Sequence, residues 1–370
     1  MKRLLFLLTV FSSLYVHAQW CTIYQDTDSL NTITAASFFT PASGFVASND
    51  WIGFTTDSGH TFQQRNVSLG NVNYGGYPVN LTFGFAASDI QAFGSNTLVV
   101  SGNYGWEPSI LYSSNGGVSW QLVYHAPLTS AASNSEYQMS FPGAGSTGYA
   151  VQNNEIVKTT NGGQSWTSVY SASSGFFTLS ATSANTVYAA GPNLLIKTTN
   201  GGASWSAVTG PFAIQAMTAF SDLHVYVVTT QGDCYSSVDG GNTWQQSNTP
   251  TGQLSGVAVN SMHFINDTTG YACGGGIYET HNSGKSWVAM PLSEPGDYYL
   301  FERFFFYSSQ QAWMGAYRGA LLLTTNGGGT PAPKALFDVN TSQVCASNTV
   351  QLLNQSQPGY TYAWYRNNTL

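Results

Sequence analysis

The chain has 370 residues, a length that allows two domains. Only 7% of them are charged, against about 25% in an average soluble protein, and the formal net charge is −7. With 10 Lys and Arg in all and no basic run, nucleic acid and an anionic membrane surface are excluded as expected partners, and no later segment is apolar enough to span a bilayer.

The N-terminus reads as an export signal. Lys2-Arg3 precedes an apolar run over 4–16, and Val16-His17-Ala18 offers a small-residue cleavage site. This predicts a signal peptide over 1–18, a mature start at Gln19, and a secreted or cell-surface protein whose net charge falls to −9 once Lys2 and Arg3 are removed. Ala18-Gln19-Trp20 before Cys21 does not resemble a lipobox, so lipidation is not expected there. Cys21, Cys234, Cys273 and Cys345 are too few and too dispersed for a disulfide scaffold. Cys234 and Cys273 fall in consecutive repeats and are either bridged or two buried thiols. No zinc-type spacing occurs, and neither a metal nor a cofactor is expected.

One short stretch then recurs through the chain. Its template is Ser/Thr-x-Asp/Asn-x-Gly-x-Ser/Thr-Trp, with Thr159-Thr160-Asn161-Gly162-Gly163-Gln164-Ser165-Trp166 as a clean copy. Seven copies place the Asp or Asn at Asp57, Asn115, Asn161, Asn200, Asp239, Asn282 and Asn326, at spacings of 58, 46, 39, 39, 43 and 44 residues. Five end in Trp, at Trp120, Trp166, Trp205, Trp244 and Trp287; the first ends in Phe62 and the last runs into Pro331. An Asp or Asn accepts from backbone N–H groups just ahead of it. The Gly supplies positive φ without steric cost. The Trp opens the next strand with a large apolar face. These roles are structural, and they predict hairpin turns.

A longer unit surrounds each box: an apolar strand, a second strand, a polar loop, and a third strand leading into the box. In the fifth unit these are 216–220, 224–229 and 234–237, with the fourth strand at 244–246. Short strands, dense turn signals and no helical period predict an all-β chain, and four strands repeated seven times predict a seven-bladed β-propeller of four-stranded blades over 19–330. The seventh unit lacks a fourth strand, while Trp20-Cys21-Thr22-Ile23-Tyr24 matches the fourth strands at 120–124 and 166–170. The N-terminal strand over 20–24 is therefore expected to close the ring and to remove an open edge. Residues 331–334 read as a linker. Residues 335–370 then resemble the first half of a PKD-like, immunoglobulin-type sandwich, and the chain is expected to stop inside it.

The boxes resemble the Asp-box, or BNR, repeat of sialidases, sortilins and photosystem II assembly factor-like propellers. Thr-Thr-Asn-Gly-Gly-x-Ser-Trp after a Gly-Tyr-Ala or Val-Tyr-Ala strand is most similar to the last of these. The resemblance covers about residues 20–330 and implies the propeller fold, with ligands met on the face opposite the boxes. Such a propeller behind a signal peptide and before a PKD-like module is similar to secreted surface proteins of Bacteroidota. Resemblance to sialidases would further imply three arginines clamping a carboxylate and a Tyr nucleophile with a Glu partner. The propeller holds only Arg65, Arg303 and Arg318, and the Phe/Tyr-Arg-Ile-Pro stretch is missing.

The predicted site is the face opposite the boxes, which carries the second-to-third and inter-blade loops. Its candidates are Trp51, Tyr74, Tyr77, Tyr104, Trp106, Glu107, Asp297, Tyr298, Glu302, Arg303 and Arg318. Aromatic side chains on Gly-rich loops suit sugar faces or a protein partner; the competing reading is that they pack their own loops. Arg318 is expected at the pore mouth with Glu302 or Asp297 as its partner, while Glu302 and Arg303, as strand neighbours, are expected to point apart. The function expected is a non-catalytic, monomeric recognition or adhesion scaffold for an extracellular glycan or protein. The alternative is a glycoside hydrolase drawing two carboxylates from Asp50, Asp89, Glu107, Asp233, Asp297 and Glu302.

Overall fold

A computed structural model describes residues 20–327, apart from 29–30, 68, 75–76, 82–84, 105–106, 126–137, 212, 247–258 and 291–299, together with 337–339 and 352–354. Each box closes on one buried hydroxyl. In the third box Thr159 Oγ1 donates to Asn161 Oδ1 (2.9 Å) and accepts from the N–H groups of Asn161 (3.3 Å) and Gly163 (3.0 Å). Asn161 in turn accepts from Ser165 N–H at 3.0 Å and donates through Nδ2 to Ser165 Oγ at 2.9 Å. The first-position hydroxyls of all seven boxes are buried, from Thr55 to Thr324, so every turn donor they accept is shielded from water. Gly163 has φ of +87°, and a Cβ there would lie 2.2 Å from Val99 Cγ2 of the preceding blade. The glycine therefore serves both the turn and the seam between blades.

The fourth position of the box ties the molecule together in two directions. Its N–H donates to the loop between the first and second strands of its own blade, from Ser58 N–H to Ala42 O through to Gly327 N–H to Gln310 O. This places all seven boxes on one face, with those loops. Its carbonyl, in four blades, accepts from the blade before: Trp313 Nε1 to Ser58 O (2.8 Å), Arg65 Nε to Gly116 O (2.9 Å), Lys158 Nζ to Gly201 O (2.6 Å) and Lys197 Nζ to Gly240 O (2.8 Å).

The resulting sheets are seven antiparallel blades. Blade 1 holds Ile33–Phe38, Gly44–Ser48, Ile52–Thr55 and Gln63–Arg65; blade 2 holds Phe85–Ala92, Leu98–Tyr104, Glu107–Ser113 and Gln121–His125. In blade 3 one long strand, Gly148–Thr159, stands where two were expected. Its first half pairs with Gln138–Ser140 and its second half with Thr167–Phe176. Blades 4, 5 and 6 begin at Thr178–Ala181, Ile214–Ala219 and Val259–Phe264. Blade 7 holds Phe301–Phe306, Ala312–Ala316 and Ala320–Thr324, and its outer strand is Cys21–Gln25, paired from Cys21 opposite Leu323 to Gln25 opposite Ala320 with a register shift between Thr22 and Tyr24. The inner strands touch in cyclic order, with Ile33–Phe38 against Phe301–Phe306, so the ring is closed.

The core lies between blades, where the second strands are buried almost throughout. Trp120, Trp166 and Trp287 are buried, whereas Trp205 and Trp244 are half-buried. Trp20 is fully buried against Phe304, which anchors the closing strand. Cys21, Cys234 and Cys273 are not joined in disulfides, and burial pushes the Cys234 thiol up to about 12. Cys345 lies outside the described residues. Beyond the ring, Phe337–Val339 pairs with Leu352–Asn354. No helix among the described residues is long and apolar enough to cross a membrane.

Candidate functional site at the pore mouth

The inner strands share an irregularity that aims side chains into the pore. Five of them carry a bulge near their start, between Ile33 and Ala35, Ala87 and Asp89, Ile214 and Ala216, Val259 and Ser261, and Phe301 and Arg303. A bulge sets two residues against one on the partner strand and breaks the alternation of faces. The extra residues are Thr34, Ser88, Gln215, Asn260 and Glu302. Together with Val259 and Arg303 they line a cavity of about 320 Å³. The inner strands end in the loops that hold the boxes, so this cavity is the mouth on the opposite face. A second cavity of about 540 Å³ continues down the pore, sharing Gln215, Asn260 and Arg303 and reaching His263 and Phe306 near the box face.

One ion pair crosses the pore. Arg303 Nη1 of blade 7 lies 3.1 Å from Asp89 Oδ2 of blade 2, reaching past blade 1. Asp89 also accepts from Ile90 N–H (2.9 Å) and, from blade 3, Met139 N–H (2.8 Å). Its side chain is only 13% exposed. Burial pushes its carboxyl upward, against the pull of Arg303 and the two N–H donors. Burial likewise raises Glu302 above the ordinary carboxylate value, with Arg303 opposing. His263 stacks on Phe306 at 4.3 Å, and burial lowers its imidazole to about 4, which keeps it neutral near pH 7.

The sequence candidates divide sharply. Glu302 and Arg303 both line the mouth. The expectation that they point apart is corrected by the bulge, which removes the alternation between them. Trp51 is a packing residue: it is 9% exposed, donates through Nε1 to Asp26 Oδ2 at 2.7 Å, and meets Tyr24 and Phe62. Tyr104 is also core, 3% exposed against Phe85, and burial raises its hydroxyl well above the ordinary value. Arg318 is exposed in the turn before Ala320–Thr324, at φ of +64°, and its carbonyl accepts from Gln25 Nε2. It lines neither pore cavity, and the expected pairing with Glu302 is replaced by Arg303 beside that carboxylate. An exposed guanidinium is solvated and needs no partner.

Tyr74 and Tyr77 are register partners at the end of an inserted hairpin, Gly70–Tyr74 with Tyr77–Leu81, which forms its own two-stranded sheet. Glu107 opens the third strand of blade 2 opposite Tyr104. Trp106, Asp297 and Tyr298 lie outside the described residues. Of the proposed hydrolase carboxylates, Asp50 lies beside Trp51 and Arg65 in an outer cleft, and Asp233 precedes Cys234 in a turn. Thr34, Ser88, Gln215 and Asn260 were missed. They sit 22 to 27 residues before the Asp or Asn of their own box, as does Glu302, and that offset is the signal that finds them.

Residues 211–340 match the family model described as photosynthesis system II assembly factor YCF48. The wider fold agrees with it. The structure is similar to YCF48 bound to D1 peptide, with a TM-score of 0.64 at 16% identity over 83% of this chain and 97% of that one. YCF48 from Cyanidioschyzon merolae gives 0.62 at 17% identity, covering 83% and 98%. The GH74 xyloglucanase from Xanthomonas campestris gives 0.61 at 11% identity, covering 92% of this chain and 56% of that one. No curated protein matches the chain. At these identities the likeness is one of fold, which hosts binding proteins and enzymes alike.

Proposed function

We propose that this chain is an exported, non-catalytic propeller scaffold that recognises an extracellular partner, protein or glycan, through the pore mouth opposite the boxes. The carrying observation is the ring of bulge residues, Thr34, Ser88, Gln215, Asn260 and Glu302, at that mouth. The bulges re-aim polar side chains into the cavity in five separate blades; of these, Thr34 and Asn260 also tie their blades to the next one, at Ala87 O (2.7 Å) and Phe301 O (2.9 Å). The similar YCF48 structure holds a bound D1 peptide, which supports a protein partner for propellers of this shape. Export rests on the signal-like segment over 1–18, and a PKD-like module on the pattern over 335–370, where two short strands pair.

A two-carboxylate hydrolase fits the mouth less well. It needs a second carboxylate free to act opposite Glu302. Among the described residues that line the pore, the other carboxylate is Asp89, which is held by Arg303 and two backbone N–H groups. The test is a glycan array run beside a polysaccharide hydrolase screen on the purified propeller and on its Q215A/E302Q variant. Retention without turnover, lost in the variant, supports the scaffold. Turnover by the parent, also lost in the variant, overturns it in favour of the enzyme. N-terminal sequencing of the exported protein should begin at Gln19.

A further inference from the structure

The residue just before a box can reach across the seam to the next blade. In blades 3 and 4 it is a lysine. The Lys158 and Lys197 ammonium groups donate to the fourth-position carbonyls Gly201 O (2.6 Å) and Gly240 O (2.8 Å), and lie over the rings of Tyr149 and Tyr188. In blade 6 the same position holds Glu279. The surroundings are otherwise alike. Tyr271 stands opposite Glu279 in register, as Tyr188 stands opposite Lys197. The Tyr271 hydroxyl lies 3.4 Å from where a Cβ on Gly327 would be, and the Tyr188 hydroxyl 3.2 Å from one on Gly240. Burial first, and then the charge of Glu279, push the Tyr271 hydroxyl up to about 12, which places the carboxylate near it. Blade 6 therefore brings an acceptor to its seam where blades 3 and 4 bring a cation.

That acceptor is not satisfied by the chain. Glu279 is 3% exposed, and its Oε2 has no hydrogen-bond donor. A buried carboxylate oxygen left so is costly. The same oxygen lies 3.4 Å from His281 Nε2, without a hydrogen bond between them. Two ligand atoms at that separation subtend close to the tetrahedral angle at an ion about 2.1 Å from each. The His281 side chain is 63% exposed, so an ion has a path from solvent. We infer that Glu279 and His281 bind a divalent metal ion of the zinc class on the box face, between blades 6 and 7. An imidazole beside a carboxylate suits zinc, whereas calcium and magnesium favour oxygen alone. The ion supplies the positive charge that Lys158 and Lys197 supply in their seams. Gly327 O, the counterpart of Gly201 O and Gly240 O, is the oxygen that blade 7 offers it. This site is separate from the pore mouth and does not depend on what the mouth recognises.

The test uses the untagged propeller, stripped with EDTA and titrated calorimetrically with zinc, calcium or magnesium chloride at pH 7.5. One zinc ion should bind, tighter than calcium or magnesium, and saturating zinc should raise the thermal midpoint by about 2 °C or more. Glu279→Gln and His281→Ala should each weaken zinc about tenfold or more. His224→Ala removes a histidine that pairs directly with Asp267 at 2.8 Å, and should leave zinc binding unchanged. Glu279→Lys restores the residue of blades 3 and 4. It should abolish zinc binding while keeping the metal-free thermal midpoint at or above the parent's, which separates loss of the site from loss of the fold. The inference is overturned if zinc does not bind saturably, or if Glu279→Lys or His281→Ala binds it like the parent. Calcium binding as tightly as zinc and unaffected by His281→Ala would also overturn it, in favour of an all-oxygen site.

Discussion

The box face and the mouth opposite it are built from the same seven repeats, yet one repeats its side chains and the other does not. On the box face every hydroxyl and amide has the same job, to pair a backbone group that the turn would otherwise bury unpaired. Few residue types do that job, so the sequence is held near one template. At the mouth the repeated feature is a backbone irregularity. The bulge fixes where a side chain is aimed and leaves open what it is, and the five positions hold Thr, Ser, Gln, Asn and Glu. Repetition marks scaffold, and variation on a repeated backbone marks the surface free to be specific.

The largest effect expected lies on the box side of this contrast. Trp166 is 5% exposed and donates through Nε1 to Gly163 O at 3.2 Å. Trp166→Ala should cost about 3–5 kcal/mol in urea unfolding. Trp205 is half-buried, so Trp205→Ala should cost about half as much, a correction to the equal losses that the two near-identical boxes suggest. A loss under about 1 kcal/mol at Trp166 would break the idea that box residues staple the blades.

The pore gives the next effect, and it is pH-dependent. The His263 imidazole is lowered to about 4 in the folded ring, below the ordinary 6.5. The unfolded chain therefore takes up the proton first as pH falls. Stability is full above about pH 6.5 and declines between there and pH 4, by up to about 3 kcal/mol. His263→Phe keeps an aromatic stack on Phe306 and should flatten that slope. Denaturation midpoints of parent and variant at pH 7 and pH 4.5 decide it, and parallel losses in both would remove His263 as the cause.

A smaller effect isolates the box hydroxyl. Thr159→Val keeps the shape but leaves the N–H groups of Asn161 and Gly163 without their acceptor. About 2 kcal/mol should be lost. Thr167→Val changes a hydroxyl of the neighbouring strand that only brushes Lys158 O at 3.5 Å and should cost little.

This division also sets what could be read from sequence. The boxes, the blade number and the match of 20–24 to other outer strands were legible because each is a local pattern repeated. The bulges were not, since an extra residue in a strand shows only against its partner's register. Alternation accordingly sent Glu302 and Arg303 to opposite faces. The Asp89–Arg303 pair was hidden for a related reason: it joins blades 2 and 7, and nothing periodic links residues so far apart in the chain. Tyr104 was misassigned because its place beside a Gly-rich loop suggested exposure, while the β-strand carries its ring onto Phe85.

The smallest effect tests whether the boxes are free of function. Two of them use Asp and five use Asn, and the two chemistries build one geometry. Asp57 Oδ2 accepts from the Thr61 hydroxyl at 2.6 Å, where Asn115 Nδ2 instead donates to Ser119 Oγ at 2.8 Å; in both, Oδ1 accepts from the first-position hydroxyl. A hydroxyl can turn to serve either role. Asp57→Asn should therefore change stability by less than about 0.5 kcal/mol at pH 7. The charge still matters in acid. Although slight burial pushes the Asp57 carboxyl up, hydrogen bonds from Thr61, Thr55 and His60 outweigh it and hold the carboxyl at about 2, below the ordinary 3.8. The ionised form thus stabilises the fold above about pH 4, and that contribution fades as pH falls toward 2. The asparagine variant has no such proton to take up, so its unfolding midpoint should gain on the parent's between pH 4 and pH 2. A loss above about 1 kcal/mol at pH 7 would mean that the carboxylate of Asp57 meets something other than its own turn, and the clean separation of a structural face from a recognition face would fail at blade 1.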